Sequence, residues 1–460
     1  MMLLLSGLVH AAKLHVPADY SIQDAIEAAQ DGDEIAVGPG MYRVALDLRG
    51  KSLRLFSTDG PQSTVLRSTV SKPVLKVMDG ATGASLEGFT IEDGEGTEQV
   101  WIVGNGWMGG GVFVHQGSLT ILDCVFSGNE ATASGQSGGG ALFVLDGDVW
   151  VRDSVFEDNL GFYAGGAALV ARGTLSIQDS TFRFNHARRG GAVAAFDDSE
   201  LNLSSNTYQD NRAGWGGAVF GKDSEIYSEN DVVLEHSVWR NGGAWALENT
   251  VAGLEGAYFS KNRAQDDGGQ VYLSQGSELT LHSSWFDQGF ARAGGGVFMR
   301  GKGTSLSVDG LLMSANQATE GGADLWVSEG SAVIQQLTSL FPGLPDSGLG
   351  VLVFARDNAQ VILTNLIVYG GAGGSLVELL NSVLSWSKGM VFEFSGNLGG
   401  AQSVGALEAD PLLTDLTPGS LDPSLATGSP AINAGVEGSL DLDGTQADLG
   451  ATGGLFPWQP

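Results

Sequence analysis

Between residues 109 and 322 the chain repeats one short pattern of apolar and polar positions. Pairs such as Leu119/Ile121, Val149/Val151, Leu175/Ile177, Leu201/Leu203, Leu279/Leu281 and Leu306/Val308 skip a single residue. Period-two alternation over so few positions predicts a short strand with one buried face. An aromatic residue follows, at Phe126, Phe156, Phe182, Tyr208, Trp239, Phe259 and Phe286. Three residues after five of these stand Asn129, Asn159, Asn185, Asn211 and Asn262. Asparagine tolerates left-handed backbone angles and bonds locally in turns. Each unit therefore reads as two or three short strands separated by tight turns, with no helical stretch.

Paired glycines mark the units, beginning at Gly110, Gly139, Gly165, Gly190, Gly216, Gly242, Gly268, Gly294 and Gly321, about every 26 residues. A fixed period means one supersecondary element stacked on its own copies. The unit is too short for a four-stranded propeller blade, which takes about 40 residues or more, and the leucine-rich pattern is absent. One coil of a parallel β-solenoid fits, with like residues stacked on like at roughly 4.8 Å per coil. The aromatics and asparagines are then expected to form internal ladders. The glycine pairs suit a corner with positive φ or a close approach of coils.

Gly-Gly-Ala at 165–167, 190–192, 216–218, 242–244 and 321–323, with Phe-x-x-Asn at 126–129, 156–159, 182–185 and 259–262, resembles the repeats of chlamydial polymorphic outer-membrane proteins. The resemblance implies a right-handed parallel β-helix displayed at a bacterial surface, often with adhesive roles. It departs at Trp239, where Asn241 comes one residue early, and at Gly289, which replaces the asparagine. Those coils are expected to be irregular. Near the start, Ser21 is a helix N-cap candidate and Ile22, Ala25, Ile26 and Ala29 share one face. A strand over Glu34–Val37 and a turn over 38–42 follow. Residues 13–45 resemble the N-terminal cap of pectin-lyase-like β-helix proteins. A cap is physically required because an open solenoid end exposes apolar side chains and strand edges. The expected fold is thus all-β, a single-chain right-handed parallel β-helix over 46–407, with regular repeats over 109–347. Residues 408–460 resemble the closing segment of secreted bacterial β-helix proteins. They carry no pattern of a membrane barrel, which needs at least about eight alternating strands.

A net charge of −30 with only 23 basic residues argues against nucleic acid and anionic membranes. It reads as an acidic exterior that keeps the molecule in solution. Residues 1–12 look like the core and cleavage end of a secretory signal, with trimming expected at Ala11 or Ala12. No other apolar run reaches about 18 residues, so no membrane span is expected. Cys124 is the single cysteine, which excludes an internal disulfide and, beside Val125 and Phe126, reads as a buried, inert thiol. A monomer outside the cell is the resulting expectation.

Candidate chemistry is sparse. The six histidines fall in unrelated phases, and no zinc spacing, phosphate loop or serine elbow is present. Asp123, Asp153 and Asp179 precede the aromatic by three residues and should stack, either bonding to turn amides and facing water or sharing a cation. Asp441, Asp443 and Asp448 echo part of a calcium loop. No cofactor is expected, Ca²⁺ being the one ion these groups leave open. Trp101 and Trp107, in the glycine-rich insertion 93–108, are the candidate ligand contacts. The functional expectation is a non-enzymatic surface protein that binds glycans or cells along its lateral face. A lyase or hydrolase of acidic polysaccharide and a structural envelope spacer are the alternatives.

Overall fold

The computed structural model describes residues 11–17, 20–68, 72–78, 80–101, 104–132, 135, 137–340, 351–370, 375–392, 404–407, 409–415, 422–437 and 445–450. Positions 1–10 of the expected signal 1–12, together with Asp441, Asp443 and the last ten positions, lie outside these residues.

About twelve coils of about 26 residues wind into a right-handed parallel β-solenoid. One coil shows the plan. Strand Ala168–Ala171 belongs to a back face, Thr174–Gln178 and Thr181–Arg183 form the two strips of a broad face, and a narrow face closes the turn. Each strand pairs in parallel and in register with its equivalents in the coils before and after. Leu175, for example, sits between Val149 and Leu201. The alternating pairs point inward: Leu119, Ile121, Leu175, Ile177, Leu201 and Leu203 are all buried. From Glu278 onward the two strips merge into single ten-residue strands, Glu278–Asp287, Ser305–Ser314 and Ser331–Leu340.

Four corners turn each coil, and each uses a left-handed residue. Examples are Gln116, Asp146 and Arg172 at one corner, Asp123, Asp153 and Asp179 at the next, then Gly128, Asp158 and Phe184, with φ between 48° and 62°. Only the fourth corner demands glycine. Gly165 has φ 58°, and a Cβ there would run into the Ala168 carbonyl. Its neighbour Gly166 has no such angle, but a Cβ would strike the Gly191 carbonyl of the next coil and lie 2.6 Å from the His186 nitrogen. The two members of the pair thus serve separate needs, conformational freedom and close approach. Gly166→Ala is expected to destabilise the protein by on the order of 3 kcal/mol, since the backbone of the next coil must shift at two places. An unchanged melting temperature would show that the coils have room to part.

The asparagines do not occupy the left-handed positions. The residue before each does: Asp158, Phe184, Asp210 and Lys261. The amides instead turn inward and join coil to coil, because a buried corner leaves strand carbonyls that need donors. Asn129, Asn159 and Asn185 each send Nδ2 to Oδ1 of the next asparagine, at 3.1, 3.0 and 3.0 Å. The same amides reach back to the carbonyls of Ile91, Phe126 and Phe156. A second buried row runs where the two strips of the broad face meet. Here Cys124 N donates to Ser154 Oγ, Ser154 N to Ser180 Oγ, Ser180 N to Asn206 Oδ1, and Asn206 N to Asp231 Oδ1.

Trp239 is not part of the aromatic ladder. The coil is one residue shorter there, so Val233 pairs with Tyr208 and Phe259, and His236 stands where asparagine would be. Trp239 falls in the narrow-face strand Ser237–Asn241 and is exposed. The irregularity expected at Gly289 is mild: its nitrogen bonds Asn316 Oδ1, which restores the row one coil on.

At the N-terminus, helix α1 (Ile22–Ala28) buries Ile22, Ala25 and Ile26, and Ser21 Oγ accepts from Asp24 N at 3.2 Å. Lys51 Nζ closes the other end on the carbonyls of Ile26, Glu27 and Ala29. The segment expected as a turn is a strand over Gly40–Val44, paired with Thr64–Ser68. Near the C-terminus Ala431 and Leu449 pack on Ile367, and Val436 N donates to Asn365 Oδ1 at 2.9 Å.

Candidate functional site

The outward positions of the broad face create a surface groove. In-register columns there read Trp150, Ser176, Asn202, Tyr227, Gly253 and, beside it, Arg152, Gln178, Ser204, Glu229, Glu255, His282. The small residues Ser176 and Asn202 leave a trough between two large rings. Trp150 is 39% exposed and Tyr227 45%. The depression encloses about 410 Å³ and is open to solvent along its length. Three coils separate the rings, which at about 4.8 Å per coil is about 14 Å.

Polar groups around the trough are held in place. Asn202 Nδ2 donates to Glu200 Oε1 at 2.8 Å, and the Tyr227 hydroxyl to Glu225 Oε2 at 3.3 Å. The carboxylate of Glu225 raises the Tyr227 hydroxyl above its ordinary value, so it remains a donor. Arg152 lies over the Trp150 ring at 5.4 Å and is tied to Asp153 at 2.9 Å. A second cleft of about 770 Å³ opens at the adjoining corner, where Asp197, Asp198, Glu200, Asp223 and Glu225 face Arg172. Arg172 is already committed to Asp146 at 2.7 Å. The groove and its surroundings are therefore acidic, with stacking surfaces and hydrogen-bonding groups but little positive charge.

The residues singled out in the sequence are distributed differently. Trp101 and Trp107 lie on an antiparallel hairpin, Thr97–Trp101 with Gly104–Met108, whose side chains at these two positions fall outside the described atoms. Asp123, Asp153 and Asp179 are exposed corner residues with left-handed angles. Asp448 Oδ1 accepts from Asn433 N at 2.6 Å. Among the described residues no group of three or more His, Cys, Asp or Glu is placed to hold a metal ion. Cys124 is buried, with its thiol pushed up to about 12 by desolvation. Phe126, Phe156, Phe182, Tyr208, Phe259 and Phe286 are fully buried, as are Asn129, Asn185, Asn211 and Asn262, with Asn159 all but so. Trp150 and Tyr227 were missed. Their signal was present: each is the middle residue of an alternating strand, Val149-Trp150-Val151 and Ile226-Tyr227-Ser228, where a large ring has no core to enter.

Residues 77–251 match the family described as the right handed beta helix region. No curated protein matches the sequence. Among solved structures the chain is similar to the receptor-binding domain of the siphovirus 9NA tailspike, at 11% identity and a TM-score of 0.35, covering 90% of this chain and 82% of that one. It is similar to PfbA, a surface adhesin of Streptococcus pneumoniae, at 13% and 0.44, covering 82% and 87%. The alginate lyase AlyF-OU02 follows at 9% and 0.44, covering 88% and 90%. Among the described residues no helix is long and apolar enough to cross a membrane. The family match and the coil-by-coil pairing together make this chain a right-handed parallel β-helix.

Proposed function

We propose that the protein is a secreted or surface-displayed, non-enzymatic glycan-binding β-helix, and that the trough between Trp150 and Tyr227 holds an uncharged carbohydrate chain. One observation carries this reading: two exposed rings share one column, with small polar residues between them. Sugar rings present apolar faces that stack on aromatics, while their hydroxyls take the hydrogen bonds offered by Ser176, Asn202, Gln178 and Ser204. Glu200, Glu225, Glu229 and Glu255 crowd the same region and would repel a polyuronate. The apolar start of the sequence and the Gly-Gly-Ala/Phe-x-x-Asn resemblance support export and an adhesin-like role.

Titration of cellohexaose, xylohexaose, laminarihexaose and mannohexaose into the purified protein tests the reading. At least one should bind, and Trp150→Ala or Tyr227→Ala should each weaken it about tenfold, the loss of one stacking contact. Binding that both variants retain would place the ligand elsewhere.

The lyase or hydrolase alternative has its own check. No rise in unsaturated uronate absorbance and no new reducing ends are expected on polygalacturonate or alginate, with or without Ca²⁺. A calcium-dependent rise abolished by Asp153→Ala would make the protein an enzyme.

A further inference from the structure

The narrow face gathers basic side chains around one tryptophan. His186 and Arg212 stand in register on successive coils, and Ser237, Arg263 and Phe290 continue the column. Beside it Arg188, Arg189 and Arg240 surround Trp215, their guanidinium carbons 5.4, 5.0 and 5.0 Å from its ring centre. Trp239 is 41% exposed and lies on the backbone of the preceding coil. Gly214 permits this, since a Cβ there would meet the indole at 3.1 Å. His186 meets the same indole edge-on at 5.6 Å.

Several other arginines are neutralised. Arg54, Arg67, Arg172, Arg183 and Arg292 each bind a carboxylate. Arg188, Arg189, Arg212, Arg240 and Arg263 form no ion pair with a described residue, in a chain with 53 acidic side chains and a net charge of −30. Like charges on neighbouring strands repel, and an anion placed among them reverses the sign of that interaction. Trp215 lies within cation–π range of all three guanidinium groups, which holds them near one site.

We propose that this face binds an acidic sugar, its ring stacked on Trp239 and its carboxylate, sulfate or phosphate held by the guanidinium groups of Arg212 and Arg240. A compact anion suits the site better than an extended polyanion, because the acidic surface beyond these coils would repel further charges. This site lies on a different face from the trough of Trp150 and Tyr227 and is independent of it.

The experiment titrates glucuronate, glucose 6-sulfate, glucose 6-phosphate and uncharged glucose into the full chain, read by tryptophan fluorescence and calorimetry. At least one acidic sugar should bind and glucose should not; which of the three binds identifies the acidic group. Arg212→Gln with Arg240→Gln, and separately Trp239→Ala, should weaken binding about tenfold or more, the loss of charged hydrogen bonds or of stacking. Added salt should weaken it too. Arg212→Gln should also raise the melting temperature without ligand, because it relieves repulsion, which shows the variant to be folded. Trp150→Ala should leave acidic-sugar binding intact, so the two sites fail separately. Absence of binding by all three acidic sugars, equal binding of glucose, or indifference to the arginine and Trp239 variants would overturn the proposal.

Discussion

Phe182→Ala is expected to cost about 3–5 kcal/mol, the range for emptying an aromatic site in a packed core. Phe182 is fully buried and belongs to a column in which Phe126, Phe156, Phe182 and Tyr208 stack with centroids 4.6, 4.6 and 5.1 Å apart and planes within 14° of parallel. The spacing follows from the coil rise, so the rings cannot slide together to refill the hole. Removing one member takes contacts from both neighbours at once. Phe182→Leu should recover part of the loss, since it restores volume but not the flat faces. Urea unfolding of the two variants measures this, and a Phe182→Ala cost under about 1 kcal/mol, the value for a typical substitution, would mean the core collapses around the gap.

Asp231→Asn is expected to stabilise the protein in alkali and to leave it nearly unchanged in acid. Asp231 is fully buried at the end of the inner polar row, accepting from Asn206 N and from Ser228 Oγ, each at 2.7 Å. Desolvation pushes its carboxyl up to about 7. An unfolded aspartate titrates near 3.9. Between these values the folded protein holds a proton that the unfolded chain has released, so stability falls as pH rises through this window. The full loss, three pKa units at 1.36 kcal/mol each, is about 4 kcal/mol above pH 7. Asparagine has no proton to lose, and its amide would reach the Leu203 carbonyl as Asn206 reaches that of Ile177. Melting temperatures near pH 3.5 and at pH 8 test this, and an equal change at both would exclude ionisation as the cause.

Much of the fold was legible because a solenoid writes its period into the chain. The Leu-x-Ile pairs, the buried aromatic column and the paired glycines all recur because each coil meets the same surroundings. Errors arose where different chemistries fill one position. Val233 replaces an aromatic, and a fully buried indole, Trp245, enters the core one coil on, 6.0 Å from Phe259. An aromatic rule therefore reached past Val233 to Trp239. Local propensity assigns the asparagines to turns because it does not reveal that a corner is buried and its carbonyls need donors. The candidate site was barely legible. Trp150 and Tyr227 stand at unremarkable outward positions, and only the stacking of coils shows that they share a column. Arg188, Arg189 and Arg240 are up to 52 residues apart in the sequence, so their convergence on Trp215 is a product of the winding.

The coil of Asp231 and His236 has a further consequence. Asn211 Nδ2 approaches His236 Nε2 at 3.2 Å, and His236 Nδ1 lies 2.5 Å from the Leu234 carbonyl, an arrangement suited to a neutral ring that accepts on one side and donates on the other. Burial lowers its pKa to about 4. Below the ordinary histidine range the unfolded chain takes up a proton that this ring refuses, so stability drains away as pH falls from about 6.5 toward 4. One turn of the solenoid thus holds two groups that disfavour folding at opposite ends of the pH scale, and it also lacks a ring in the aromatic column. In a linear array with nearest-neighbour coupling, such a turn is a domain wall. The coils from Asn129 to Asn211 and those from Asn262 to Asn316 are then expected to open as separate cooperative blocks. Amide exchange should then report two protection levels that meet near residue 235.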